Sequence, residues 1–193
     1  EKKLIGRLEE EFKTLKLEKF FGKTFFYFEK KYKKKFFYDN KDVSFFKKML
    51  QYVLPKNERN KILDLLLNEF VEIDDKKLSE KIYMSKEHLR EMVSEGMYVG
   101  NHSYNHPWLE YENYSSQLKE INDSLDFLSS ISAPTKDWIM CYPYGSYNKT
   151  TIEILNSHNC LAGLTTKPGL CKNVKKDRFE MLRTDTNEVA KIQ

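Results

Sequence analysis

Along the first part of the chain apolar side chains recur at helical spacing, and along the second they gather into short runs that end in polar loops. Leu4, Leu8, Phe12 and Leu15 make one helical stripe. Phe45, Phe46, Met49, Leu50, Val53 and Leu54 make another, stopped by Pro55, which lacks the amide a helix interior needs. Ile62, Leu63, Leu66, Leu67 and Phe70 make a third. Between the first two lies a dense patch, Phe20, Phe21, Phe25, Phe26 and Phe28, whose period fits either a strand after Gly22 or a continuing helix. These stripes read as packing surfaces and suggest no chemistry.

From residue 85 the punctuation sharpens. Ser85 suits the N-cap of KEHLREMVSE, with Leu89 and Met92 turned inward and Gly96 as the residue after the helix. A short strand over Met97–Val99 should end at Gly100. Ser115 or Ser116 is expected to start a helix carrying Leu118, Ile121, Leu125, Leu128 and Ile131. Trp138–Tyr142 reads as a buried strand, Asn148 as the cap of KTTIEILNSH, Leu161–Thr165 as a further strand and Phe179–Leu182 as a last apolar piece. Alternation of this kind predicts an α/β fold, a parallel sheet with covering helices. The unusual polar residues all follow strands: His102 and His106, Tyr144, Thr165 and Thr166, then Arg183 and Asp185. In such folds the carboxyl ends of the strands carry the site, so converging loops there predict a binding mouth.

The stretch MYVGNHSYNHPW sets His102 and His106 four residues apart. Pro107 disfavours the α region for His106, which puts the pair in a loop. Imidazole ligates zinc and related divalent ions; the plainer alternative is a pair of polar loop histidines. His88, inside a helix, reads as a surface residue, and His158, at a helix end, as structural. Asp74 and Asp75 are adjacent acids just before a helical period, where helix capping accounts for them better than metal binding does.

Composition narrows the classes. A chain of 193 residues buries a full core and is most simply one domain, 1–193. With 33 Lys+Arg against 29 Asp+Glu the net charge is +4, and the charges are interleaved. The basic run Lys30–Lys35 reads as a solvated face; a nucleic-acid or acidic-membrane binder using it would lose affinity steeply with salt. Cys141, Cys160 and Cys171 resemble neither a disulfide framework nor a CxxC metal site and fit reduced thiols in a cytoplasmic protein, ahead of the cell envelope. No apolar run approaches a membrane span, and the start shows no signal peptide. The chain opens on Glu1, as a fragment or processed piece would.

Taken together, GNHSYNHPWL (Gly100–Leu109) is similar to a His-[Ser/Thr]-x-x-His metal motif, and CYPYGSYN (Cys141–Asn148) to a Pro-Tyr-Gly loop. In that order, and with the helix before the histidines and the LAGLTT strand after, the chain resembles the polysaccharide deacetylase family, carbohydrate esterases of the NodB type. The resemblance is good over 83–185, and 32–82 look like a helical insertion found in one branch. It implies a distorted, incomplete (β/α) barrel and a hydrolase that removes acetyl groups from an N-acetylated sugar of a surface polysaccharide or its precursor. It further implies a divalent ion, zinc in the first place, held by His102, His106 and an aspartate. The backbone N–H of Tyr144 would meet the oxyanion, Pro143 would fix the turn and Gly145 would let the backbone approach a sugar. Tyr104, Trp108, Tyr142 and Tyr147 would offer flat faces to pyranose rings, with packing as their alternative role. Arg183 would bind substrate or orient an acid.

There are departures. No Thr-Phe-Asp-Asp segment supplies a base and third ligand, Cys141 stands where the family often has Arg, and the late Leu-x-x-His motif is missing. The competing expectation is therefore a catalytically inactive carbohydrate-binding or scaffold protein that keeps the fold. A zinc peptidase is disfavoured, because HSYNH lacks the Glu of HExxH.

Overall fold

A computed structural model describes residues 1–35, 39–71, 75–171 and 173–186. The chain divides into two compact units, Glu1–Ser79 and Glu80–Gln193.

The first unit is helical: α1 Lys2–Thr14, α2 Leu17–Phe21, α3 Phe25–Tyr32, α4 Lys41–Lys48 running into a π-helical turn Met49–Val53, and α5 Lys56–Phe70; α6, Asp75–Ile82, begins in it. The phenylalanine patch is helical, not a strand, for two local reasons. Gly22 ends α2 in the left-handed region at φ 61°, and Thr24 restarts the chain by accepting the Tyr27 N–H on its side chain. Asn40 caps α4 by accepting from the Asp42 and Val43 amides, both at 3.0 Å. Leu8, Phe12, Phe45, Met49 and Ile62 are fully buried in the shared core. The segment expected as an insertion, 32–82, contains α4, the π turn, α5 and α6. The expected capping at Asp74 lies outside the described residues, and α6 begins at Asp75.

The second unit contains α7 Lys86–Ser94, a 3-10 turn Leu109–Tyr111, α8 Tyr114–Ser130, β1 Trp138–Cys141, α9 Lys149–Ser157, β2 Cys160–Pro168 and β3 Met181–Arg183. Its sheet has the order β1-β2-β3 with both pairings parallel, so this is an α/β fold, as the alternation predicts. Ser85 caps α7, reciprocated by His88, so this helical histidine has a capping role. Asn148 caps α9, reciprocated by Thr151. The cap of α8 differs from expectation. Asn113 accepts the Ser116 N–H at 2.9 Å, and Ser115 and Ser116 are already helical.

A second difference matters more. Residues 97–99 form no strand; pairing with β1 is a single parallel bridge, Asn101 to Met140. Asn101 N–H donates to the Ile139 carbonyl at 3.0 Å, and Cys141 N–H donates to the Asn101 carbonyl at 2.9 Å. The Ile139 N–H is taken by the Tyr98 hydroxyl at 2.6 Å, a side chain where a ladder would use a main-chain carbonyl. Gly100 makes room for this arrangement. A Cβ there would lie 3.0 Å from the Tyr98 ring and 3.3 Å from the Ile139 carbonyl oxygen.

The core of the second unit packs Leu109, Ile121, Trp138, Met140, Ile154 and Leu155 around the sheet. Trp138 donates its indole N–H to the His158 carbonyl at 2.8 Å, and the His158 ring lies with Nδ1 2.8 Å from the Ile154 carbonyl of α9. Beyond the end of β1, the buried Tyr142 hydroxyl donates to the Phe179 carbonyl at 2.7 Å, crossing above Gly163. Any side chain at Gly163 would meet that hydroxyl at 2.2 Å. Among the described residues no helix is long and apolar enough to cross a membrane.

Candidate active site

The two histidines follow the only bridge that joins their segment to β1 among the described residues, and the loop they occupy is bent against its own preferences. Ser103 and His106 have φ of 64° and 55°, a left-handed conformation costing roughly 1–2 kcal/mol for a residue with a Cβ. Two side chains hold the bend. Asn101 accepts the Ser103 N–H at 2.9 Å. Glu120, on α8, accepts on one oxygen from Ser103 Oγ at 2.8 Å, Tyr104 N at 3.0 Å and Asn105 N at 2.7 Å, and on the other from Asn105 Nδ2 at 2.7 Å. Burial raises the Glu120 pKa, but the Asn105, Ser103 and Tyr104 hydrogen bonds outweigh it, and the carboxyl lies below its ordinary value of 4.5.

The bend brings the imidazoles together. His102 Nδ1 lies 2.5 Å from the Cys141 carbonyl oxygen, which can only accept, so this nitrogen carries the proton and leaves a lone pair on Nε2. His106 Nε2 lies 3.0 Å from that same His102 Nε2, with the rings near perpendicular at 74°. Partial burial, and then the neighbouring His102, lower the His106 pKa and favour its neutral form. Two imidazole nitrogens aimed at one point either share a proton or share a cation.

The Pro-Tyr-Gly loop supplies the facing wall. Tyr144 takes φ 57° in the turn Pro143–Gly145, which closes with Gly145 N–H to the Tyr142 carbonyl at 2.9 Å and Ser146 N–H to the Pro143 carbonyl at 2.8 Å. The Tyr144 ring lies flat on Trp108, 4.4 Å between centroids and 8° between planes, and meets His106 edge-on at 4.5 Å. Ser146 Oγ accepts the Glu110 N–H at 3.1 Å, and Asn148 Nδ2 donates to the Glu110 carbonyl at 3.1 Å, fastening this loop to the segment after the histidines.

So His102, His106, Trp108, Tyr144 and the buried Pro143 share one place. The other expected site residues stand around it. The room at Gly145, φ 71°, is filled by Thr166, whose Oγ1 would touch a Cβ at 2.1 Å. Tyr147 stacks on Tyr142 at 4.5 Å, donates its hydroxyl to Glu180 at 2.7 Å and accepts from Lys167 at 3.0 Å. Tyr104 is exposed beside the histidines. Arg183 is exposed at the end of β3, and among the described residues no hydrogen bond or ion pair ties its guanidinium to His102, His106 or Tyr144.

The two convergent imidazole nitrogens, one with its tautomer set from behind by a carbonyl, are donors of the kind that ligate a divalent ion. Among the described residues no third His, Cys, Asp or Glu gathers with them. Sequence reasoning missed Glu120, one of several charged residues on α8, because its partners are loop amides whose direction depends on the bend.

Residues 23–162 match the family model for polysaccharide deacetylase. The chain is 38% identical over 73 residues to the peptidoglycan-N-acetylmuramic acid deacetylase PdaC of Bacillus subtilis (strain 168), covering 37% of this chain and 15% of that protein. It is 27% identical over 94 residues to the putative polysaccharide deacetylase YxkH of the same organism, covering 49% and 33%. It therefore spans a third or less of the length of these two relatives. A solved structure, Streptococcus pyogenes deacetylase PplD in complex with acetate, aligns at 27% identity with a TM-score of 0.48, over 62% of this chain and 48% of that one.

Proposed function

This chain belongs to the polysaccharide deacetylase family, and we propose that it serves the hydrolysis of an N-acetyl amide on a sugar, releasing acetate. The sugar belongs to a surface polysaccharide or its precursor, and the second unit is the core of an incomplete (β/α) barrel. The observation that supports this reading is the convergence of His102 Nε2 and His106 Nε2 at 3.0 Å, directly beside the Tyr144 turn.

His102 and His106 would hold a divalent ion, zinc in the first place. Such an ion supplies Lewis acidity toward the acetyl carbonyl and lowers the pKa of water to about 7 in favourable zinc sites. The chain's own residues do the rest. The Cys141 carbonyl keeps the proton on His102 Nδ1, so Nε2 stays a donor to the ion. The backbone N–H of Tyr144, presented by a turn that Pro143 and Gly145 allow, would stabilise the negative charge that develops on the carbonyl oxygen. Tyr104, exposed beside the histidines, and the stacked pair Trp108 and Tyr144 would offer flat apolar faces for a pyranose ring, Tyr147 would extend that wall, and Arg183 would bind the sugar's polar groups. The base that takes the water's proton, and a third protein ligand, are carboxylates supplied from outside the residues named here.

The test is acetate release from an N-acetylated glycan, with the bound metal measured alongside. A chelator should abolish release, and His102→Ala or His106→Ala should each lower it more than about 100-fold, since loss of a ligand exceeds loss of an outer partner. Undiminished release from both variants overturns the reading.

A further inference from the structure

We propose that Glu120 of α8 is a positioning residue for this site: by binding three successive loop residues it sets where the two imidazole nitrogens converge. The inference rests on the reading of His102 and His106 as the metal-holding pair, and it assigns to a helix outside both loops the control of their geometry.

The geometry is unusually one-sided. Between the histidines lie only Ser103, Tyr104 and Asn105, and each gives a hydrogen to the Glu120 carboxylate, Asn105 giving two. The backbone on either side of that contact is left-handed, at Ser103 and at His106. A loop with unfavourable backbone at two positions keeps its shape only where its surroundings over-determine it. Asn101 fixes the first of the two positions through the Ser103 amide. Among the described residues no other side chain accepts the Tyr104 or Asn105 amides, so the backbone leading into His106, whose ring then meets Tyr144, is set by Glu120.

Glu120 is itself well anchored. Its neighbour Ile121 is fully buried in the core of the second unit. One turn earlier Gln117, also buried, accepts from Thr151 Oγ1 at 2.7 Å and donates to the Glu112 carbonyl at 2.9 Å. The carboxylate thus transmits the fixed position of α8 to the bend, and through the bend to His106 Nε2.

Without the carboxylate, the amides of Tyr104 and Asn105 turn to water and the bend relaxes toward ordinary backbone angles. His102 keeps its hold on the Cys141 carbonyl, so the change falls on His106. The pair should then lose its common focus while the sheet and α8 remain.

The test compares Glu120→Ala, Glu120→Gln and Asp123→Ala in the full 193-residue chain. Asp123, one turn further along α8 and paired with Lys119, is the control for a carboxylate lost from this helix. Two readouts are taken: cobalt(II) affinity with its visible absorption band, and the imidazole NMR signals of His102 and His106 in the metal-free protein. Glu120→Ala should bind cobalt at least tenfold more weakly and shift the His106 signals, with far-UV circular dichroism unchanged. Asp123→Ala should match the parent. Glu120→Gln keeps an acceptor for the two amides but sets an NH2 group against Asn105 Nδ2, so it should recover part of the loss.

Imidazole signals and cobalt affinity in Glu120→Ala equal to the parent's would overturn the inference. If the parent itself takes up no cobalt, the metal reading of the site fails, yet the metal-free imidazole signals still decide whether Glu120 sets the His106 position. A Glu120→Ala chain that loses its secondary structure, with Glu120→Gln likewise unfolded, would also overturn it, because Glu120 would then be holding the fold and not the pair.

Discussion

The two units solve different problems with different chemistry. In the first, the Phe12 ring is fully buried and lies against three others, stacked on Phe21 at 5.9 Å and edge-on to Phe25 at 5.5 Å and Phe28 at 5.7 Å. In the second, the centre of interest is a loop whose every bend is met by a named donor or acceptor: Asn101, Glu120, Cys141, Ser146. Rings packed by volume are non-directional, and they hold a shape without pointing a functional group anywhere. Hydrogen bonds add less free energy apiece but fix direction, which is what a pair of ligating nitrogens requires.

The largest expected effect tests the packing half of that contrast. Phe12→Ala removes a fully buried ring and should cost about 3–5 kcal/mol in urea denaturation followed by circular dichroism. Next comes the hydrogen-bonded half. Tyr142→Phe takes away a buried hydroxyl and leaves the Phe179 carbonyl without that donor, which should cost about 1–3 kcal/mol in the same measurement. Should Tyr142→Phe prove the more costly, the contrast between the units is wrong.

The smallest effect sharpens the contrast most. Asp42 in the first unit and Glu120 in the second are both held below their ordinary pKa values, for different reasons. Lys33 does it for Asp42, by hydrogen bond first, against burial, with Lys33 charge, Lys41 and Lys2 adding to it. For Glu120 burial opposes, and donors on Asn105, Ser103 and Tyr104 prevail. Each depressed carboxyl stabilises the fold above its unfolded pKa, and that contribution is lost as pH falls through the folded one. In 1 M salt, where screening acts over about 3 Å, the Asp42 pKa should rise toward its ordinary value while that of Glu120 stays put. An NMR titration of the side-chain carboxyls at two ionic strengths reads both.

How much of this was legible follows from which physics acts locally. The capped helices α7 and α9 were readable because Ser85 and Asn148 act within one turn of themselves. Strands β1 and β2 were readable as apolar runs, and so was the Pro-Tyr-Gly loop after β1, whereas the apolar run before the histidines forms no strand and joins β1 only through the Asn101–Met140 bridge. The start of α8 was misplaced because Ser115 and Ser116 are good caps in isolation, while Asn113 stands earlier and accepts the Ser116 amide, which places both serines inside the helix. The phenylalanine patch was ambiguous because its apolar positions suit either period; the break at Gly22 and the cap at Thr24 decide it. Glu120 could not be read at all. A glutamate on an amphipathic helix looks like any solvated charge until a left-handed serine turns four donors toward it.

One feature of β1 reaches further than its length suggests. On the side away from β2, the Ile139 amide meets the Tyr98 phenol, the Ile139 carbonyl and Cys141 amide meet Asn101, and the Cys141 carbonyl meets the His102 ring. A phenol, one backbone unit and an imidazole together act as a surrogate strand. An open sheet border invites pairing with another molecule, and this one is already spoken for along those groups. The last place in that improvised strand is occupied by His102, so protection of the sheet from self-association and orientation of its ring depend on the same carbonyl.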